Sequence, residues 1–230
     1  MAKKKHKETF AEMLASLKTN TVEAKPVETI EERKYFLIVC EGTRTEPIYF
    51  DFLKKFLPKH LLETIQIIGQ GDNTVNIVRK AIDERNKRLN DEINPNFDEV
   101  WAVFDKDDFP ARRFNEAVIL AEQQGIKSGH TNQAFELWYV LHFQYLNTAL
   151  NRGDYFKILS NRFKKKYQKN NEEIVALLFE KGNVKQAIEW AKDLIAMHKN
   201  VTPADACPST QLHILVEKLL TYSKHPALKK

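Results

Sequence analysis

The feature that most constrains the fold of this chain is a strand-then-helix unit that occurs three times in succession. The first unit opens with Tyr35-Phe36-Leu37-Ile38-Val39-Cys40, an unbroken run of aromatic and aliphatic side chains. A run with no outward polar face suits a strand covered on both sides. After the turn Glu41-Gly42-Thr43-Arg44, the segment Thr45 to Leu57 places Ile48, Tyr49, Phe52, Leu53, Phe56 and Leu57 at helical spacing. Pro47 falls in its first turn, where a missing N–H costs nothing, and Pro58 closes it. The second unit is the strand Thr64-Ile65-Gln66-Ile67-Ile68, a turn from Gly69 to Gly71, and a helix capped by Asp72 or Asn73 that runs to Leu89. The third is Glu99-Val100-Trp101-Ala102-Val103-Phe104 followed by a helix from Ala111 to Gln124, ended by Gly125. Ile126-Lys127-Ser128 begins a short fourth strand. Strands joined by helical crossovers pair in parallel, so the expected class is α/β: a parallel-sheet core flanked by helices.

Beyond Asn132 the pattern becomes purely helical. Ala134 to Tyr145, Tyr155 to Lys166, Glu172 to Phe179, Val184 to Met197 and Thr210 to Tyr222 each carry apolar residues at helical spacing, and Thr210 is placed to cap the last of them. The expected organisation is a flexible basic arm over residues 1–34, an α/β core over 35–145 and a helical C-terminal subdomain over 146–230. The arm begins with Lys3, Lys4, Lys5 and Lys7, continues through an amphipathic piece from Phe10 to Leu17 and ends in the polar stretch from Thr19 to Glu32.

Composition removes several classes of function. The 36 lysines and arginines against 31 aspartates and glutamates give +5 at pH 7, which permits a phosphate-rich partner without requiring one. Cys40 and Cys207 form no CxxC pair, so neither a zinc finger nor a disulfide framework is expected. Met1 to Lys7 is basic, but no apolar signal segment follows, and no stretch of about 18 apolar residues exists to cross a bilayer. The expected location is the cytoplasm, with no membrane partner. There is no GxxxxGK[ST] loop, so any ATPase would be a separate chain. Gly69-Gln70-Gly71-Asp72 lacks the third glycine of a dinucleotide fingerprint and reads as a tight turn.

The residues that carry chemistry stand where strands stop. In an open parallel sheet, ligands collect outside the carboxyl ends of the strands, near the point where strand order reverses. The first strand ends in Glu41-Gly42 and the third in Asp105-Lys106-Asp107-Asp108. If these two strands are neighbours, Glu41 converges with Asp105 and Asp107, and their mutual repulsion raises their pKa values unless a cation sits between them. An all-oxygen donor set from Glu41, Asp105, Asp107 and Asp108 suits a hard divalent ion, Mg²⁺ or Mn²⁺, able to polarise a phosphodiester and orient an attacking water. Acidic residues in such loops also serve as helix caps and solvated ends. Glu136, amid Phe135, Leu137 and Trp138, is a fourth carboxylate of this site, or a supporting partner for His142 or Asn132, or else a helix N-terminal acid favoured by the dipole. Arg44, Lys106, Arg112 and Arg113 flank the acids and can hold phosphates. The run Arg162-Phe163-Lys164-Lys165-Lys166-Tyr167-Gln168-Lys169 interleaves aromatics with cations, as single-strand binding surfaces do, with Lys164 and Lys165 as candidate contacts; a solvated helix face explains it equally.

A Glu-Gly after one buried strand and Asp-x-Asp after another resemble the Toprim fold of topoisomerases, primases and certain nucleases. More closely, four blocks resemble the RloB-like family of bacterial phage-defence proteins: Glu41-Gly42-Thr43-Arg44-Thr45-Glu46-Pro47-Ile48-Tyr49-Phe50; Val100 to Phe109; Asn132 to Trp138 with Leu141-His142-Phe143; and Pro208-Ser209-Thr210 with His213 and Leu215-Val216. The resemblance covers roughly Arg33 to Leu220. His130-Thr131-Asn132-Gln133 stands where the family usually reads Ser-Asn-Pro. The resemblance implies a Toprim nuclease, a hydrolase acting on DNA or RNA in antiviral defence beside an ATPase partner. It implies Glu41 as acid/base or metal-organising carboxylate and Asp105 and Asp107 as Mg²⁺ ligands. The rival expectation is a non-catalytic sensor or scaffold that binds nucleic acid or the ATPase.

Overall fold

The computed structural model of the chain describes residues 33–62, 65–69 and 74–223. The basic arm through residue 32, the turn at 70–71 and the expected cap at Asp72 or Asn73 lie outside the described residues.

Strands β1 (Phe36–Cys40), β2 (Ile65–Gly69), β3 (Glu99–Val103) and β4 (Lys127–Ser128) form one sheet in the order β2-β1-β3-β4, every pair parallel. Phe36 lies opposite Ile65 on one side and Glu99 on the other, and Cys40 opposite Gly69 and Val103. The chain runs from β1 outward to β2 and then crosses back over β1 to β3. Strand order therefore reverses between β1 and β3, the place where an open parallel sheet leaves a crevice. This is an α/β fold, as the three repeated units imply.

All five residues of β1 are fully buried, and they alternate between two cores. Phe36, Ile38 and Cys40, with Trp101 and Val103 of β3, face α1 (Thr45–Lys54), α5 (Glu136–Leu141), α6 (Arg152–Phe163), α7 (Glu172–Lys181), α8 (Val184–Met197) and α9 (Leu212–Thr221). Leu37 and Val39, with Val100, Ala102 and Phe104, face α3 (Thr74–Leu89) and α4 (Ala111–Gln123). A four-residue helix, α2 (Lys59–Leu62), precedes β2. The larger core takes residues from both sides of Tyr145, so the late helices share packing with the sheet. Within it Phe179 of α7 stacks on Tyr49, Phe52 and Phe56, with ring centroids 5.1–5.4 Å apart, and so clamps α1.

Three local expectations are corrected. Strands do not stop at Asn132: β5 (Thr131–Asn132) pairs antiparallel with β6 (Ser209–Thr210), and the buried Thr131 and Thr210 hydroxyls meet at 3.0 Å. Two-residue strands are too short to show a period. Thr210 is consequently a strand residue, with Gln211 at the cap position of α9, although the Thr210 hydroxyl still accepts the Leu212 N–H at 3.3 Å. The helix expected over Ala134 to Tyr145 is confined to Glu136–Leu141.

Burial decides the state of two histidines. His142 donates its Nδ1–H to the Trp138 carbonyl at 2.9 Å and stands edge-on to the Trp138 and Tyr49 rings. His130 stacks on Phe104 and meets Ser128 Oγ at 3.0 Å. Burial lowers each pKa to about 4. An unfolded-chain histidine titrates near ~6.5, so between that pH and about 4 only the unfolded state takes up these protons. The stability each contributes by staying neutral is present above that window and lost as pH falls through it. Buried carboxylates with raised pKa values change stability in the opposite sense, so the test is a difference. Relative to wild type, His142→Phe should gain about 2–3 kcal/mol on going from pH 7.5 to pH 4.5 in urea unfolding, whatever its packing cost at either pH. An unchanged difference would show that His142 is not buried neutral.

Candidate functional site

The crevice between β1 and β3 is acidic. Glu41 follows β1, and its amide continues the parallel pairing by donating to the Val103 carbonyl at 2.8 Å. Its carboxylate turns toward the end of β3, where Oε2 accepts the Asp105 N–H at 2.9 Å. Asp105 in turn reaches over the sheet edge: Oδ2 accepts the Phe135 N–H at 2.8 Å, just before α5. Beyond Phe104 the chain runs beside residues 131–133, with Lys106 N–H donating to the Thr131 carbonyl and Asp107 N–H to that of Gln133. These bonds hold the exit of β3 rigid over both aspartates.

Two further carboxylates join them. Glu46, in the first turn of α1, points back under the turn and is buried. Gly42 makes this possible, because a Cβ at that position would run into both Glu46 carboxylate oxygens. Gly69 serves the same turn from β2: a Cβ there would come within 2.7 Å of the Gly42 carbonyl oxygen and 2.8 Å of Thr43 Cα. Glu136 is 0% exposed. Its Oε1 accepts the Tyr167 hydroxyl at 3.0 Å and faces Lys169 Nζ at 3.4 Å.

One oxygen on each of Glu46, Asp105, Asp107 and Glu136 is buried without a hydrogen-bond partner. Burial, and then the Glu46, Glu41 and Glu136 charges, push the Asp105 carboxyl well above the usual range. Burial raises Glu41 to about 7 against the pull of the Asp105 amide, and Glu46 to about 6 against its own amide. Asp107 is raised by burial, with Arg152 and Lys169 opposing. Asp107 holds a left-handed backbone (φ 42°), which aspartate tolerates better than most residues. Its Oδ2 pairs with Arg152 at 3.2 Å, while Asp108, its side chain 91% exposed, takes the other Arg152 nitrogen at 2.8 Å. Asp108 thus faces solvent and arginine.

The donor chemistry fits a hard divalent cation: oxygen only, with several oxygens unsatisfied. Among the described residues no three His, Cys, Asp or Glu side chains gather as a ready metal-holding set. An ion would therefore rest on one or two carboxylates and complete its shell with water or substrate oxygen, as Mg²⁺ commonly does. Asp105 and Asp107, each with a free Oδ1, are the residues that would hold it.

Other expected site residues are placed elsewhere. Asn132 spends its side-chain N–H on the Pro203 and Ala204 carbonyls at 3.1 and 2.7 Å, and His142 belongs to the aromatic core described above. Neither partners Glu136. Arg44 is exposed at the start of α1, and Lys106 lies half-buried with Nζ 3.5 Å from the Phe109 carbonyl. Arg112 pairs with Glu116 at 2.7 Å and Arg113 is exposed beside it. Lys164 is exposed, and Lys165 pairs with Glu173.

The Gly42–Glu46 contact yields a direct check. Gly42→Ala should destabilise the fold by about 1–3 kcal/mol, as overpacking does. Adding Glu46→Ala should relieve it, so that denaturant unfolding shows the double variant less destabilised than the sum of the singles by at least about 0.5 kcal/mol. Additive effects would mean that the two residues do not touch.

No curated protein and no solved structure matches this chain. The family described as RloB-like protein matches residues 36–219, from the first residue of β1 to the last turn of α9. The match takes in both strand ends, Glu46, Glu136 and the Tyr167–Lys169 segment, and so this chain belongs to the RloB-like family.

Proposed function

We propose that this protein is a divalent-metal-dependent nuclease of Toprim type that hydrolyses phosphodiester bonds of DNA or RNA, serving bacterial defence against phage together with a separate ATPase. The observation that carries the chemistry is the group of carboxylates buried at the β1–β3 crevice, with oxygens left unsatisfied on Asp105 and Asp107. The defence role and the ATPase rest on the family resemblance alone.

A divalent ion, when bound, supplies Lewis acidity toward a phosphate oxygen. The remaining work falls to the chain. Asp105 is oriented by the Phe135 amide on Oδ2, which leaves Oδ1 without a hydrogen-bond partner. Glu41 is oriented by the Asp105 amide and, with its carboxyl near 7, exchanges a proton readily at neutral pH. Arg44 and Lys106, at the mouths of the two turns, suit the flanking phosphates of a bound strand.

A second reading has its own support. Arg152 already answers Asp107 and Asp108, and Lys169 answers Glu136, so the acids are partly balanced without any ion. A scaffold that binds nucleic acid or the ATPase would need no more.

Incubation of the protein, alone and with its ATPase, with DNA and RNA in Mg²⁺ or Mn²⁺ separates the two. Cleavage is expected, and Asp105→Asn or Asp107→Asn should lower its rate by roughly 100-fold or more. Cleavage that survives both substitutions overturns the mechanism. Salt-dependent binding without turnover in any divalent ion establishes the scaffold instead.

A further inference from the structure

The segment between α6 and α7 is built to deliver one cation to the carboxylate group. α6 stops at Phe163 with Lys164 in a left-handed conformation (φ 52°), and the chain doubles back. The return is pinned at both sides of Lys169. Before it, the buried Tyr167 donates its hydroxyl to Glu136 at 3.0 Å, and its amide donates to Ser160 Oγ at 2.9 Å. After it, Asn170, also left-handed (φ 60°), accepts the Thr45 hydroxyl on Oδ1 at 2.8 Å, one residue from Glu46. Lys169 Nζ is left 3.4 Å from Glu136 Oε1 and 5.7 Å from the Phe156 ring centroid.

Its charge reaches past Glu136. The Lys169 ammonium is among the groups that hold down the carboxyls of Glu41, Glu46 and Asp107, residues that come from β1, α1 and the exit of β3. Arg152, the other cation acting on Asp107, is engaged with Asp107 and Asp108 at the outer rim. The Lys169 side chain is 41% exposed, so it is free to exchange its place for solvent without opening the core.

We propose that Lys169 is the resident counter-cation of the acidic crevice and that it competes with a divalent ion for the carboxylate charge. The lysine brings positive charge to the buried acidic group when no ion is present, and a metal entering at Asp105 and Asp107 weakens the hold on Lys169. The inference rests on the reading that the crevice takes a divalent ion. It adds that this chain tunes its own metal affinity with a lysine supplied by the α6–α7 loop.

The test is Mn²⁺ binding by electron paramagnetic resonance on the full chain, at low ionic strength and without nucleic acid, for wild type, Lys169→Met and Lys169→Arg. Removing a unit positive charge next to the carboxylates should tighten Mn²⁺ binding by about tenfold in Lys169→Met, while Lys169→Arg, which keeps the charge, should bind as wild type does. Thermal unfolding gives an independent reading: Lys169→Met should melt below wild type in metal-free buffer and gain more in Tm from MnCl₂ than wild type gains. Equal Mn²⁺ affinity in wild type and Lys169→Met overturns the competition and leaves the metal site standing. Tightening in the arginine variant as well would show that loop geometry, and not charge, is responsible, and would also overturn it. No Mn²⁺ binding by any of the three chains overturns both the metal site and the competition.

Discussion

Everything in this structure that bears on function follows from two parallel strands lying side by side and ending at the same level. β1 and β3 are neighbours because the chain lays β2 on one flank of β1 and then crosses to the other. Their last paired residues, Cys40 and Val103, are in register, so the residues that follow leave the sheet at one edge. A single hydrogen bond then joins the exits, from the Asp105 amide to the Glu41 carboxylate. It aligns the two acids, and it also commits them to share a desolvated space, where burial alone raises both carboxyls before any neighbour is counted.

That space is unfavourable for charge, and the rest of the fold is arranged around the difficulty. A buried carboxylate without a partner costs several kcal/mol in a low-dielectric interior, so each must be protonated, hydrogen-bonded or matched by a cation. Hydrogen bonds and cations are both in use. Backbone amides take one oxygen of Glu41 and one of Asp105, the tyrosine hydroxyl takes one of Glu136, and lysine and arginine come in from segments more than 30 residues further along the chain. The helices after Tyr145 therefore do more than cover the sheet. By sharing its core they fix where α6 begins and ends, and those two ends carry Arg152 and the loop with Lys169.

The sheet could be read from the sequence because its strands are long apolar runs separated by helices of clear period, and because Glu41, Asp105 and Asp107 sit where those runs end. Glu136 was legible as a lone acid in an apolar block, although its partners were not: Asn132 and His142 lie near it in sequence, but Tyr167 and Lys169 hold it, about 30 residues later. Glu46 was harder still. An acid in the first turn of a helix has an ordinary explanation in the helix dipole, and nothing local shows that the turn folds it inward. The β5–β6 pair was hidden for a related reason, since each strand is two residues long and its partner is 79 positions away at Thr131 and Thr210. In each case the missing information was a long-range contact of a short segment, which periodicity does not encode.

Gly42 shows how closely the backbone and the charges are coupled. A glycine after a strand is usually explained by a turn that demands positive φ. Among the described residues the glycine with positive φ is Gly125, at the end of α4, and Gly42 is not in that class. What Gly42 lacks is needed instead: the volume of a Cβ there is occupied by the Glu46 carboxylate, and the backbone behind it is pressed by Gly69 at the end of β2. The two glycines thus form a stack, from β2 through the β1 turn to α1, with no side-chain atoms in it. A side chain at Gly42 would force Glu46 out from beneath the turn. It would also reduce the repulsion on Asp105, for which Glu46 is the foremost neighbouring charge. The acidity of the site is therefore set by packing at a strand end, and a substitution with no charge of its own changes it.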